Sequence, residues 1–293
     1  SGESIAYLAE SGSDIVGYLE YLPVRATCFS KNVIAGKGVD SSIGVEFRGR
    51  GLRANLRALA EEEARRRGWA FFFNFPNKMA LNGALKYSAM RFICPMGLWV
   101  KPFFPNIDRG DRYAAFDSTF RKVLYPVYKR VARLGLSRDH IKAAERYDVQ
   151  GQVDIDEGFD EFWMSFSQHV SIATIRDAKF LRWRYHDNPA FNYTVVTAKR
   201  HGRIVGVAVV TFVENRGRKM GQLLQLCTLP NHSASLLAIL EYMDEISVKQ
   251  GVAFLMTRLQ EHLGMTRIIA GTGFVRVPFR HSPMVAMPLA TDI

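Results

Sequence analysis

The residues best placed to do chemistry lie in one stretch, Val39-Asp40-Ser41-Ser42-Ile43-Gly44-Val45-Glu46-Phe47-Arg48-Gly49-Arg50-Gly51-Leu52-Arg53, which runs straight into a helical sequence ending at Arg67. A β-prone segment, a tight glycine turn and a helix, in that order, build an anion cradle. Gly49 and Gly51 let backbone N–H groups approach an anion closely. The first helical turn, from Leu52, leaves N–H groups without acceptors, and the helix dipole favours negative charge there. Arg48, Arg50 and Arg53 add planar cationic donors suited to phosphate. The chemistry implied is the holding of a diphosphate-like group.

The elements that must position this stretch follow from the patterning on either side. Residues 4–9 and 15–24 are strand-like runs separated by Ser11-Gly12-Ser13-Asp14, a hairpin signal. A loop is expected around Ala35-Gly36-Lys37-Gly38, then a strand over 39–45. The helix from Leu52 carries Leu56, Leu59, Ala60 and Ala64 on one face, and Gly68 ends it. Trp69 to Phe75 reads as an apolar central strand broken by Pro76-Asn77, with a helix over 78–90 and a strand over 93–101 after it. A connector over 104–150 includes a basic amphipathic helix at 113–134, kinked or restarted at Pro126. A similar order then returns: a helix at 157–169, strands at 193–199 and 203–213 turned at His201-Gly202, and a strand at 220–229. A helix at 233–250, a strand at 252–259, a short helix at 261–270 and a last strand ending near Met287 complete it.

In its order β-β-β-turn-α-β-α-β the first half resembles the GNAT superfamily of acyl-CoA-dependent N-acyltransferases. That family's loop reads Arg/Gln-x-x-Gly-x-Gly/Ala at the start of the central helix; Arg48 and Gly51 match it, while Arg53 stands where a small residue is usual. A second landmark is a tyrosine four residues before a Gly-Phe pair; Tyr87 and Phe92 keep it, with Arg91 in place of the glycine. In the second half Gly273-Phe274 matches that landmark, but Ile269 replaces the tyrosine. There, Leu229-Pro230-Asn231-His232-Ser233-Ala234-Ser235 replaces the glycine loop, and Pro230 removes one N–H. The segment from Phe180-Leu181-Arg182-Trp183-Arg184-Tyr185 to Asn188-Pro189 resembles the second halves of tandem GNAT-like proteins of cell-envelope and exopolysaccharide pathways.

The resemblance implies an α/β (α+β) fold of two tandem GNAT-like domains, each a mixed, mostly antiparallel twisted sheet flanked by helices. The first, 1–103, lacks the family's N-terminal strand and helices; 151–293 forms the second, with a degenerate donor site. It further implies that the first domain holds acetyl-CoA or another acyl-CoA on Arg48, Gly49, Arg50, Gly51, Leu52 and Arg53. The sheet would splay near Ile43 to Val45, so that a backbone N–H there polarises the thioester carbonyl. Tyr87 is the family-matched acid for the leaving thiolate, Glu20 a candidate base, and Asn74 and Asn77 candidate partners for the pantetheine amides. The reaction is acyl transfer to a small primary amine, an amino sugar or a cell-envelope precursor. Rival readings of the same fold use an acyl carrier protein, docked on helix 113–134, or aminoacyl-tRNA as donor, or make the chain a non-catalytic binding module.

Bulk properties are compatible with all of these. The chain has 293 residues, enough for one large or two ordinary domains, with 48% hydrophobic and 23% charged residues, as in a globular protein. The net charge of +11 suits a phosphate-bearing partner, but the basic residues are scattered rather than interleaved with aromatics as in a nucleic-acid surface. No apolar run approaches the roughly 18 residues of a membrane span. The three cysteines, Cys28, Cys94 and Cys227, have no metal-site spacing and read as reduced thiols of a cytoplasmic protein. The seven histidines are dispersed, so no metal is expected. No Gly-x-Ser-x-Gly elbow supports a serine nucleophile. Arg182, Trp183, Arg184 and Tyr185 are candidates for reading an anionic or sugar acceptor, or for structural stacking.

Overall fold

The computed structural model describes residues 2–86, 88–103, 125–215, 217–260 and 265–290. The first half runs through β1 (Ile5–Ser11), β2 (Asp14–Cys28), β3 (Lys31–Ile43), α1 (Leu52–Arg66), β4 (Phe71–Asn74), α2 (Lys78–Lys86) and β5 (Arg91–Pro102). Next come α3 (Tyr125–Arg133), α4 (Arg138–Ala144), β6 (Asp148–Gly151), α5 (Gly158–Ser167), β7 (Ile172–Thr174) and α6 (Ala178–Leu181), the last continued by a π-helical turn, Arg182–His186. The remainder is β8 (Tyr193–Arg200), β9 (Arg203–Asn215), β10 (Arg218–Thr228), α7 (Ser233–Lys249), β11 (Phe254–Gln260), α8 (Thr266–Gly271) and β12 (Val275–Pro288).

These elements form two compact units that are discontinuous in sequence. One takes the chain up to Pro95 with Val170–Ile175 and everything from Ser282; the other takes Met96–His169 and Arg176–His281. The sequence reading divides the chain consecutively, and β5 and β12 are the reason the units do not. Residues 96–102 of β5 pair with β11, whereas Val285–Pro288 at the end of β12 pair antiparallel with β4. A strand's partner is chosen by its unpaired edge, which sequence order does not encode.

In the first unit the strand order is β1-β2-β3-β4-β12, with β7 on the far end of β2. Gly12, at φ 64, closes the β1–β2 turn. Alternation along β2 sends Leu19 and Tyr21 into a core with Leu56, Ala60 and Ala64 of α1, and so turns Tyr18 and Glu20 to the opposite face. The loop expected at 35–38 is absent: those residues lie inside β3, which starts at Lys31. A Cβ at Gly36 would strike the ring of Phe72, and one at Gly38 the carboxamide of Asn74. These glycines mark close approach within a sheet and not a turn. Phe72 in turn stacks on Tyr21, with ring centroids 3.9 Å apart.

In the second unit the order is β5-β11-β10-β9-β8-β6. One face is covered by α7, whose Leu236, Ile239, Leu240 and Met243 are buried against Val196, Ala208, Leu223 and Leu255. The other packs Phe159, Phe162, Leu181 and Tyr185 against Val195, Val207 and Val209. Both faces are therefore dry, which explains the near-continuous apolar runs of β8 and β9. The expected helix 113–134 is described only from Tyr125, so its first part lies outside the described residues, as do residues 261–264 of the expected short helix. Pro126 falls in the first turn of α3, where a missing N–H costs nothing. α4, β6 and β7 have no counterpart in the sequence reading.

A buried ion pair ties β5 to α7. Lys101, 0% exposed, donates from Nζ to both oxygens of Asp244 at 2.5 and 2.6 Å, beneath the rings of Phe103 and Phe274. Removing one partner leaves a charge in an apolar setting, and Lys101→Met is expected to cost about 3–5 kcal/mol of unfolding free energy. The double change Lys101→Met with Asp244→Leu should recover most of that loss in urea denaturation, because no buried charge then remains.

Candidate functional site

The site is created where β3 and β4 stop being neighbours. They pair in parallel only at Ala35↔Phe71, Gly36↔Phe72 and Lys37↔Phe73. One residue later β3 carries a bulge: Tyr21 opposes Gly38 and Glu20 opposes Asp40, leaving Val39 without a partner. A bulge bends the strand and re-aims its backbone groups. The sheet does part, but earlier than the Ile43–Val45 position expected. Ile43 still pairs with Gly17, its carbonyl accepts a hydrogen bond from Arg48 Nε at 3.1 Å, and the Gly44 N–H is spent on Val16 O at 2.9 Å. Val45 opens an exposed 3-10 turn. The strand edge freed by the parting is that of Gly38, Val39 and Asp40.

The chain then reaches the glycine turn. Gly49 and Gly51 have φ of 77° and 80°, the left-handed region that side chains resist. Gly51 is the N-cap of α1, and no side chain caps this helix. Side-chain caps do close three other helix starts: Asn77 Oδ1 accepts from the Ala80 N–H in α2, Ser137 from His140 in α4, and Asp177 from Phe180 in α6, while α5, α7 and α8 have none. The start of α1 is left as open anion-binding backbone. Two of the three expected arginines have local work. Arg48 reaches back to Ile43, and Arg50 stacks over the Phe47 ring at 5.5 Å.

Notch and turn open into one groove of about 870 Å³. Glu20, Ile43, Arg48, Gly49, Gly51, Leu52, Arg53 and Asn77 all line it, so the residues singled out from the sequence are brought together; Val45 and Arg50 do not line it. Asn77 spends its side-chain oxygen on the α2 cap, whereas Asn74 lies across the notch against Gly38. Tyr87 lies outside the described residues. Glu20 accepts a hydrogen bond from the Tyr18 hydroxyl, which raises the Tyr18 pKa above its ordinary value, and it sits directly across from Asp40. Arg57 and Asp40, both groove residues, were not singled out by sequence. The signal for Arg57 was its spacing of one helical turn beyond Arg53.

The second unit repeats the geometry without the cradle. β10 and β11 pair in parallel from Met220↔Phe254 to Leu223↔Thr257, and a bulge follows at Leu224. The turn before α7 has no positive-φ glycine, and the protein's own side chains fill it. Tyr147 Oη lies 3.2 Å from His232 Nδ1, His140 Nε2 lies 3.3 Å from Ser233 Oγ, and Thr228 Oγ1 lies 2.6 Å from Ser235 Oγ. Burial and the nearby Arg200 lower the His232 pKa, favouring the neutral ring. The Arg182–Tyr185 cluster is largely structural: Arg182 donates to Ile155 O from Nε at 2.9 Å, and Tyr185 is buried, while Trp183 points to solvent. All three cysteines are free thiols. Among the described residues, no group of three or more His, Cys, Asp or Glu side chains gathers as a metal site, and no helix is long and apolar enough to cross a membrane.

No protein-family model and no curated protein matches the sequence. Solved structures do match the fold. A GCN5-related N-acetyltransferase from Anabaena variabilis superposes with a TM-score of 0.64 at 11% identity, over 97% of this chain and 63% of its own. A tandem GNAT protein from the clavulanic acid biosynthesis pathway gives a TM-score of 0.56 at 15% identity, over 99% and 84%. The N-myristoyltransferase of Saccharomyces cerevisiae, solved with bound myristoyl-CoA, gives 0.55 at 10%, over 93% and 63%. The fold is that of the GNAT acyltransferases, and the chain spans about 63% of the length of the Anabaena protein.

Asn77→Ala is expected to lower unfolding free energy by about 1 kcal/mol through the lost cap of α2. Asn77→Asp, which keeps an acceptor oxygen, should be near wild type in the same urea titration.

Proposed function

We propose that the first unit binds an acyl-CoA thioester and passes its acyl group directly to a primary amine. The observation that carries this reading is the uncapped start of α1 behind Gly49 and Gly51, opening onto a notch where β3 has lost its strand partner. A diphosphate would meet the free N–H groups of the helix start. The pantetheine arm would lie between Gly38–Asp40 and Asn74–Asn77, bonding to a strand edge as an added peptide strand does. The carboxamide of Asn74 supplies a further donor and acceptor there. The second unit's equivalent turn is filled by Tyr147, His140 and Ser235, which supports one donor site rather than two.

The chemistry follows from the notch. The amine nitrogen attacks the thioester carbonyl carbon, and the oxygen that gains charge is stabilised by a backbone N–H at the Val39 bulge. The C–S bond then breaks, the acyl group stays on nitrogen, and the electron pair leaves on sulfur. The proton lost by nitrogen is assigned to Glu20, and the thiolate is reprotonated by Tyr87 in the role its motif implies. Glu20 and Asp40, adjacent on one sheet face, would attract a cationic amine. The narrower acceptor proposal, an amino sugar or cell-envelope precursor, rests on the sequence of the Phe180–Pro189 segment. A cytoplasmic setting fits a CoA donor and free thiols.

Titration calorimetry with CoA tests the donor. Wild type should bind, and Gly51→Glu, which puts a carboxylate in the cradle, should weaken binding roughly a hundredfold or more. Absence of CoA binding together with salt-sensitive binding of tRNA or an acyl carrier protein would instead favour the rival donors.

A further inference from the structure

α1 is divided electrostatically at its midpoint. In its second half every arginine has an acidic partner: Arg65 with Glu61 at 3.8 Å, and Arg66 and Arg67 with Glu63 at 2.7 and 2.5 Å. Glu63 is held at a pKa of about 2 by hydrogen bonds from Arg66 and Arg67. In the first half Arg53 and Arg57 share one face, both line the groove, and neither makes a hydrogen bond or ion pair among the described residues. Glu61, one turn beyond Arg57, is given to Arg65. Two like charges at this spacing disfavour the helix unless an anion joins them. Their mutual repulsion registers in Arg53, an exposed residue whose pKa is lowered by partial desolvation in the groove and by Arg57.

The position of Arg57 sets it apart from the diphosphate cradle. Arg57 is six residues beyond Gly51, ~9 Å along the helix axis. It lies near Tyr21, whose pKa is raised by burial and pulled back first by Arg57. Tyr21 is the cross-strand partner of Gly38, one residue from the bulge. Arg57 therefore lines the groove beyond the turn, on the side of the notch, one helical turn past Arg53, which lies in the first turn of α1. The acidic side chains of the groove, Glu20 and Asp40, project from the opposite sheet face. An anionic acceptor would meet them, so the anion that suits Arg53 and Arg57 belongs to the donor.

We propose that Arg53 and Arg57 form an anion subsite for a carboxylate at the far end of the acyl group, making the preferred donor a dicarboxylic acyl-CoA thioester. This rests on the donor reading above and narrows it. It also gives Arg53 a use at a position where a small residue would leave more room: it adds a charge that the backbone cradle does not need.

The test is calorimetric binding of CoA, acetyl-CoA, succinyl-CoA and glutaryl-CoA. One of the dicarboxylic thioesters should bind wild type about tenfold more tightly than acetyl-CoA, as one charge-assisted contact allows. Arg57→Met should remove that preference while changing acetyl-CoA affinity less than about threefold, and Arg57→Lys should keep part of it. Equal affinity of wild type for all three thioesters overturns the subsite and leaves the donor site standing. An equal loss for CoA and every thioester in Arg57→Met also overturns it, by assigning the arginine to the diphosphate. Failure of all four ligands to bind removes the donor reading itself.

Discussion

The first unit is organised around the parting of two parallel strands. Three residue pairs join β3 to β4, and beyond Lys37 the edge of β3 has backbone groups with no strand to meet them. Unpaired strand edges are ordinarily covered or blunted because they recruit other chains. Here the bulge at Val39 bends the edge outward and the groove keeps it open, flanked by Asn74 and by the glycine turn. The open helix start, the Tyr21–Phe72 stack beneath the notch and the close approach at Gly36 and Gly38 all depend on where that parting falls.

The same geometry in the second unit shows what the parting alone does not supply. β10 bulges at Leu224 and leaves β11 in the same manner. There, however, the bonded pairs Tyr147–His232, His140–Ser233 and Thr228–Ser235 crowd the helix start, and Pro230 occupies the turn. A cradle needs donors that the protein itself leaves unsatisfied. In the first notch a glycine turn leaves the approach to those donors clear, and in the second a cluster of side chains bonded to one another occupies it.

The elements set by local pattern were legible in the sequence. α1, the apolar strand after it and the hairpin turned at His201-Gly202 follow from periodicity and from residues that tolerate positive φ. Gly36 and Gly38 were misread because a glycine that makes room for a ring or a carboxamide looks, in sequence, like one that makes a turn. The exchange of segments through β5 and β12 was not legible, since it depends on which edges are left over once each sheet forms. Most of the residues that the motif picks out line one groove, and the bulge lies several residues upstream of Ile43. Arg57 was hidden in a helix rich in arginine, where only the placement of acids on one half distinguishes paired from unpaired charges.

Hydrogen exchange read by mass spectrometry with and without CoA addresses the central claim most directly, because it reports backbone protection in each notch separately. The account predicts slower exchange across residues 38–54 and 74–81, where the freed strand edge, the glycine turn and the start of α1 would be covered. Residues 224–236 of the second notch should be unchanged. Protection confined to 224–236, or none at 38–54 at saturating CoA, would contradict it.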